Sequence, residues 1–160
     1  MEGLIVSEIK ISETDLVNQF AELWRKNNPD ENVETHSGND DSGMDVQIKS
    51  SQKTIGLEAK LFADTRNSSG NFYKMLGQIL KGRKLFENSP KKVEYGFLLL
   101  LRDKEKVLGY LKTISYFDLI TFFTTFDIKH FYFYDHENKK IVDCYDEITK
   151  TLSKEQFEKK

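Results

Sequence analysis

Ser42-Gly43-Met44-Asp45-Val46-Gln47-Ile48-Lys49 is followed, twelve intervening residues after Asp45, by Glu58-Ala59-Lys60 within the apolar run Thr54 to Phe62. Both pieces read as extended segments, Met44 to Ser50 and Thr54 to Phe62, joined by a Ser51-Gln52-Lys53 turn. Side chains alternate faces along a strand, so Glu58 and Lys60 share one face while Leu57, Ala59 and Leu61 take the other. An acid on one strand, then an acid and a lysine on the next, gathers two anions and a cation at one end of a sheet. Such a set suits a hard divalent cation bound by carboxylate oxygens, with an ammonium beside a metal-bound water.

The same residues have plainer uses. Asp45, just after Gly43, is placed to cap a turn. Glu58 is harder to dismiss, because an acid amid Ile55-Gly56-Leu57-Glu58-Ala59-Lys60-Leu61-Phe62 is partly buried or at a sheet end. An unpaired buried carboxylate costs several kcal/mol. It therefore needs either a cation shared with Asp45 or a same-face ion pair with Lys60.

Outward from this stretch, Ser12 and Asp15 form a capping box, and Leu16, Phe20, Leu23 and Trp24 recur at helical spacing until Asn27-Asn28-Pro29. Val33 to Ser37 is extended and Gly38 to Gly43 is a polar turn. A second helix, Phe72 to Phe86, carries Phe72, Leu76, Ile79 and Leu80 on one face and stops before Pro90. The most hydrophobic strand, Glu94 to Leu101, follows. Beyond it lie a helix from about Ser115 to Phe126 with Ser115 and Asp118 as its cap, a strand Lys129 to Asp135, a turn, and a last strand Lys140 to Tyr145. The charged tail from Glu147 reads as a frayed helix. With 160 residues and no repeat, low-complexity tract or long linker, the chain reads as one domain over residues 1–160.

The acid, the spacer, the Glu-x-Lys and the order helix, three strands, helix, strand resemble the PD-(D/E)XK nuclease superfamily, the restriction-endonuclease-like fold. Met44 stands where that family often has proline, at a position whose side chain is not a ligand. The resemblance covers roughly residues 12–101 and implies an α/β fold: an αβββαβ core whose mixed central sheet is flanked by helices. It also implies a Mg²⁺-dependent endonuclease, with Mn²⁺ as an alternative ion. Asp45, Glu58 and the Ala59 carbonyl would hold the metal, and Lys60 would orient or help deprotonate the attacking water.

The first helix of the family usually adds an acid. Glu13 falls in the apolar sector near Val17 and Phe20, Glu22 on the far side, so Glu13 is the candidate; as a first-turn acid it equally complements the helix dipole. Gln78 resembles a glutamine often found near that active site, and is equally a surface glutamine.

A formal net charge of −2 excludes a wholesale basic surface, so nucleic acid, DNA ahead of RNA, would be held by a local patch. Arg66, Lys74, Lys81 and Lys84 supply one, with Arg83, Lys91 and Lys92 nearby, unless they are only a solvated face. Ala63 to Asn71 reads as a loop placing Arg66 on a phosphate. Little sequence remains for reading bases, which favours relaxed or structure-directed cleavage. One site cuts one strand, so cutting both needs a homodimer or two encounters. Tyr110, Tyr116, Phe117, Phe122, Phe123 and Phe126 are either that interface or core.

Cys144 is the sole cysteine, excluding an internal disulfide or a thiolate zinc cage, and is expected to fill core on an end strand. His36, just before the loop, is placed either to approach the acids or a phosphate or to serve structurally at a strand end, whereas His130 and His136 read as strand and turn residues. No apolar run suits a bilayer and no signal peptide is evident, so the protein is expected to be cytoplasmic, away from membranes. The rival to an enzyme is a non-catalytic module binding nucleic acid or protein on the same fold.

Overall fold

Ser12 starts the first helix by the expected reciprocal cap: its hydroxyl accepts from the Asp15 amide at 3.0 Å, and its own amide donates to Asp15 Oδ2 at 3.1 Å. The computed structural model describes residues 11–36, 44–62 and 68–158. Its elements in chain order are α1 (Glu13–Asn27), β1 (Asn32–Thr35), β2 (Val46–Lys49), β3 (Lys53–Ala59), α2 (Ser68–Arg83), β4 (Lys92–Leu100), α3 (Lys104–Leu111), α4 (Tyr116–Thr125), β5 (Ile128–Asp135), β6 (Lys140–Asp143) and α5 (Tyr145–Glu158). Short 3₁₀ turns, Lys84–Phe86 and Leu101–Asp103, follow α2 and β4.

The strands form one six-stranded sheet in sequential order, β1 to β6. Pairing is antiparallel from β1 to β3, parallel from β3 to β5, and antiparallel between β5 and β6. The parallel steps require crossovers, which α2 and the α3–α4 pair supply. The chain is thus the expected mixed α/β sheet flanked by helices.

The sheet separates two cores. On one face Leu16, Val17, Phe20 and Ala21 of α1 pack on Val46, Ile48, Ile55, Leu57, Leu98 and Leu100. On the other, α2 to α5 cover Tyr95, Phe97, Leu99, Phe131 and Phe133. The strands of the parallel segment are buried on both sides, hence the unbroken apolar run of β4. Gly96 is needed there because a Cβ would collide with the His130 backbone carbonyl where the β4–β5 register slips.

Several expectations need correction. On α2 the buried face is Phe72, Met75 and Ile79, while Leu80 is exposed; the helix also begins at Ser68, inside the stretch expected to be a loop. Ser115 and Asp118 make no side-chain cap to α4. Helix α3, hidden among charged residues, buries Val107, Leu108 and Leu111. The tail is docked, since Ile148 and Leu152 of α5 enter the core beside Cys144. Phe123 is core, Tyr110, Tyr116, Phe122 and Phe126 pack against it, and Phe117 is exposed, so that group is not a continuous exposed face. No described helix is long and apolar enough to cross a membrane.

Candidate active site

The β2–β3 register decides where the acids meet. Val46 pairs with Leu57, and the antiparallel register continues outward to set Asp45 opposite Glu58. The residues join as expected of neighbours across strands: Asp45 Oδ2 accepts the Ala59 amide at 2.8 Å, and the Asp45 and Glu58 carboxyls share a hydrogen bond. On the other flank the His36 amide donates to the Asp45 carbonyl at 2.9 Å, extending the β1–β2 ladder by one step. Three strand ends thus converge on Asp45.

Met44 fixes the entry to this strand. It is fully buried between Gly56 of β3 and Gly82 of α2, and a Cβ on Gly82 would run into its sulfur. The position before Asp45 thus serves as an apolar anchor that sets where Asp45 begins.

Glu58 is only 6% exposed and Lys60 only 8%. Burial pushes the Glu58 carboxyl up to about 9, reinforced by the Asp45 charge and their shared hydrogen bond, with Lys60 opposing. Asp45 is also raised by burial, against the Ala59 amide and Glu58 hydrogen bonds that favour its anion. Near neutrality the pair therefore holds a proton between two oxygens that a cation could occupy instead.

Lys60 continues alongside β4, its amide donating to the Leu98 carbonyl at 3.2 Å. Its ammonium lies 3.9 Å from Glu13 Oε2. Among the described residues it makes no ion pair with Glu58, so the anticipated same-face pair is replaced by one reaching α1. Burial raises the Glu13 carboxyl, partly offset by Lys60 and, from α2, Lys74. Glu13 and Lys74 are thereby placed beside the acids from opposite faces of the sheet. Glu22 instead acts on Tyr134.

The remaining candidates are placed unevenly. Gln78 is half-buried on α2, between Met75 and Gly82, and among the described residues hydrogen-bonds none of the acids. Lys81 is exposed on the same helix, and Lys84 lies in the 3₁₀ turn beyond its end. Arg66 and the loop Ser37–Gly43 lie outside the described residues.

Two residues not picked out from the sequence hold the chain as it leaves the site. Asp103, buried after β4, accepts the Phe62 amide at 3.1 Å, and Lys106 of α3 donates to the Phe62 carbonyl at 2.9 Å. Both partners are more than forty residues away in sequence. The only local hint was an acid directly after an apolar strand.

A second charged cluster was also missed. Glu94, at the amino end of β4, is met by Lys53 Nζ at 2.9 Å, His130 Nε2 at 3.0 Å, Lys92 Nζ at 3.5 Å and Lys129 Nζ at 3.6 Å. His130 Nδ1 faces Asp143 Oδ2 at 3.0 Å. Its ring stacks on Tyr132 with centroids 5.2 Å apart. His130 is a strand residue as expected, but also the bridge between two carboxylates.

No family model matches the chain, and no curated protein matches it. Among solved structures it is similar to an XisH family protein from Nostoc punctiforme. That similarity has a TM-score of 0.51 at 15% identity, over 80% of this chain and 97% of the other. It supports the fold.

Proposed function

We propose that the protein is a metal-dependent nuclease of the PD-(D/E)XK type, hydrolysing phosphodiester bonds in nucleic acid, DNA ahead of RNA, with relaxed sequence or structure specificity. One observation carries this: half-buried Asp45 and buried Glu58 face each other across adjacent strands, with a buried lysine two residues on. As a purely structural element that arrangement is unfavourable, since acids directly opposite in a sheet repel and buried anions need compensation. Strongly perturbed carboxyls held this way mark functional sites.

The donors fit a particular kind of ion. Two carboxylates and the Ala59 carbonyl are hard oxygens, and among the described residues no group of three His, Cys, Asp or Glu forms a closed cage. Mg²⁺, which keeps several waters and takes one or two carboxylates, suits so sparse a set, as does Mn²⁺. When bound, such an ion supplies Lewis acidity at phosphate oxygen and acidifies water.

The chain's own residues do the rest. Asp45, fixed by the Ala59 amide, and Glu58 supply the negative charge that holds the ion. Lys60 orients the attacking water and offsets charge growing on the phosphate. Glu13 restrains the Lys60 ammonium at the sheet edge. Lys74 and Lys81 of α2 and Lys84 just beyond it give the backbone a positive path. Cutting both strands would require a homodimer or two encounters.

The test is incubation of purified protein with supercoiled, linear, single-stranded and branched DNA and with RNA, in Mg²⁺, Mn²⁺ or EDTA. Metal-dependent cleavage that Lys60→Ala abolishes is expected. Cleavage indifferent to EDTA, or none of any substrate, would overturn the reading. The second outcome would favour a non-catalytic binding module, for which the mutual hydrogen bond of Asp45 and Glu58 is the supporting observation.

A further inference from the structure

We propose that a recess at the far end of α2 from the acid pair holds a single-stranded segment of nucleic acid by its phosphates, with Arg83 as the fixed anchor. Residues 68–86 contain Lys74, Lys81, Arg83 and Lys84 and no Asp or Glu, in a chain of net charge −2. This segment is therefore net positive while the remainder of the chain is net negative.

The recess has a volume of about 570 Å³, and Leu80, Arg83, Lys84, Phe86, Lys91 and Phe126 contribute to its lining. Arg83 is held in place: its guanidinium lies 4.9 Å from the Phe126 ring centroid and 5.7 Å from that of Tyr95. Its Nε is buried with no hydrogen-bond partner. A guanidinium ordered by stacking at the wall of the recess binds an anion with little further loss of side-chain freedom. Lys91 is set at the rim by its 3.0 Å bond to the Ser50 carbonyl. Glu87 and Asp127 also line the recess, so it remains net positive by one charge against the three cations.

Size and surroundings select the ligand. A recess of this volume accommodates a small molecule or one or two nucleotides, not a duplex. Exposed Leu80 and Leu85 beside it offer apolar surface to unstacked bases. Lys74, beside Glu13, and Lys84, in the recess, are ten residues apart along one helical path. That is about 15 Å at ~1.5 Å per residue, a span of a few nucleotides of extended strand. A strand anchored at Arg83 thus reaches the acids within a few nucleotides.

This inference rests on the nucleic-acid part of the function proposed above and not on cleavage, so binding is measured in EDTA. A labelled oligothymidine of about twelve nucleotides, within the usual range of single-strand sites, is titrated by anisotropy against a hairpin duplex of equal length. Wild-type protein is expected to prefer the single strand. Arg83→Met should weaken that binding about tenfold and lower the salt slope by about 0.7 for each phosphate no longer neutralised, with duplex binding changed less than about twofold. Thermal midpoints check each variant. Because Arg83→Met also removes ring stacking, the exposed-site change Lys91→Gln provides an independent arm, with about a threefold weakening expected for one screened charge at the rim.

Equal single-strand affinity in wild type and both variants would overturn the proposal, as would a wild-type preference for duplex. Competition by free thymidine monophosphate or by oligoglutamate as effective as the oligonucleotide would also overturn it. Single-strand binding that survives in a protein with no nuclease activity would refute the cleavage reading and leave this site standing.

Discussion

The two ends of the β3–β4 pair treat buried acid in opposite ways. At the amino end, burial alone would raise Glu94, but hydrogen bonds and charge from Lys53 and His130 hold it down at about 2. At the carboxyl end, burial and the neighbouring Asp45 push Glu58 up to about 9, and Lys60 turns away to Glu13. Both glutamates are 6% exposed. The difference is the supply of cations from the protein: abundant around Glu94, short around Glu58. A carboxylate satisfied within the fold stabilises it, whereas a pair kept short of positive charge is poised for a cation from outside.

The largest expected effect tests that division of labour. Asp45→Asn and Glu58→Gln should each reduce metal-dependent cleavage by on the order of a hundredfold or more, read as initial rates on plasmid. Glu94→Gln should leave chemistry intact but cost stability, about 2 kcal/mol once the exposure of its lysine partners is discounted. Glu58→Gln, replacing a carboxyl already protonated at neutral pH, should stay within about 0.5 kcal/mol of the parent. Urea midpoints would compare them, and equal destabilisation by the two glutamate variants would erase the contrast.

Dependence on pH sharpens it further. The folded-state value of Glu94 is depressed from 4.5 to about 2, so its contribution is complete above 4.5 and is lost as pH falls toward 2. Glu58 is raised from 4.5 to about 9, so its contribution is complete below 4.5 and is lost as pH rises through 9. Glu58→Gln should therefore flatten the alkaline decline of the melting temperature, and Glu94→Gln the acid decline.

A third effect is added stability from a cation. Ca²⁺ at a hundredfold over its Kd should stabilise the fold by about 3 kcal/mol, seen as a higher melting temperature. That shift should vanish in Asp45→Asn and persist in Lys60→Ala, because the lysine is assigned to water and not to the ion. The smallest effect concerns the helix: Lys74, Lys81 and Lys84 changed together to Ala should flatten the salt dependence of nucleic-acid binding, by a slope of about 0.9 for each duplex phosphate no longer neutralised.

The acid pair was legible because it depends on local chemistry. The turn at Ser50–Lys53 and the two apolar strands fix the register, and with it the Asp45–Glu58 encounter. The Ser12 cap made α1 equally readable. What escaped notice depends on distant partners. Glu94 stands in an apolar strand just as Glu58 does, but its compensation comes from Lys53 and from Lys129 and His130, on strands either side. Neither spacing nor composition joins them.

Other misreadings have simple causes. Charge along Lys104–Leu111 masked the apolar stripe Val107, Leu108 and Leu111. In the tail, lysines and glutamates masked Ile148 and Leu152, four apart and therefore on one face. On α2 an apolar residue was assigned to the wrong side: Met75, not Leu80, shares the buried face with Phe72 and Ile79. The seat of Met44 on Gly82 is a packing fact that no local pattern announces.

The most direct test is nicking of supercoiled plasmid by wild type and Asp45→Asn side by side in Mg²⁺, with thermal melts confirming that both are folded. Relaxed circles from the wild type, none in EDTA, and none from the variant are the predicted result. Equal nicking by both proteins, or no nicking by a folded wild type on any DNA form, would contradict the assignment of Asp45 and Glu58 to a catalytic cation.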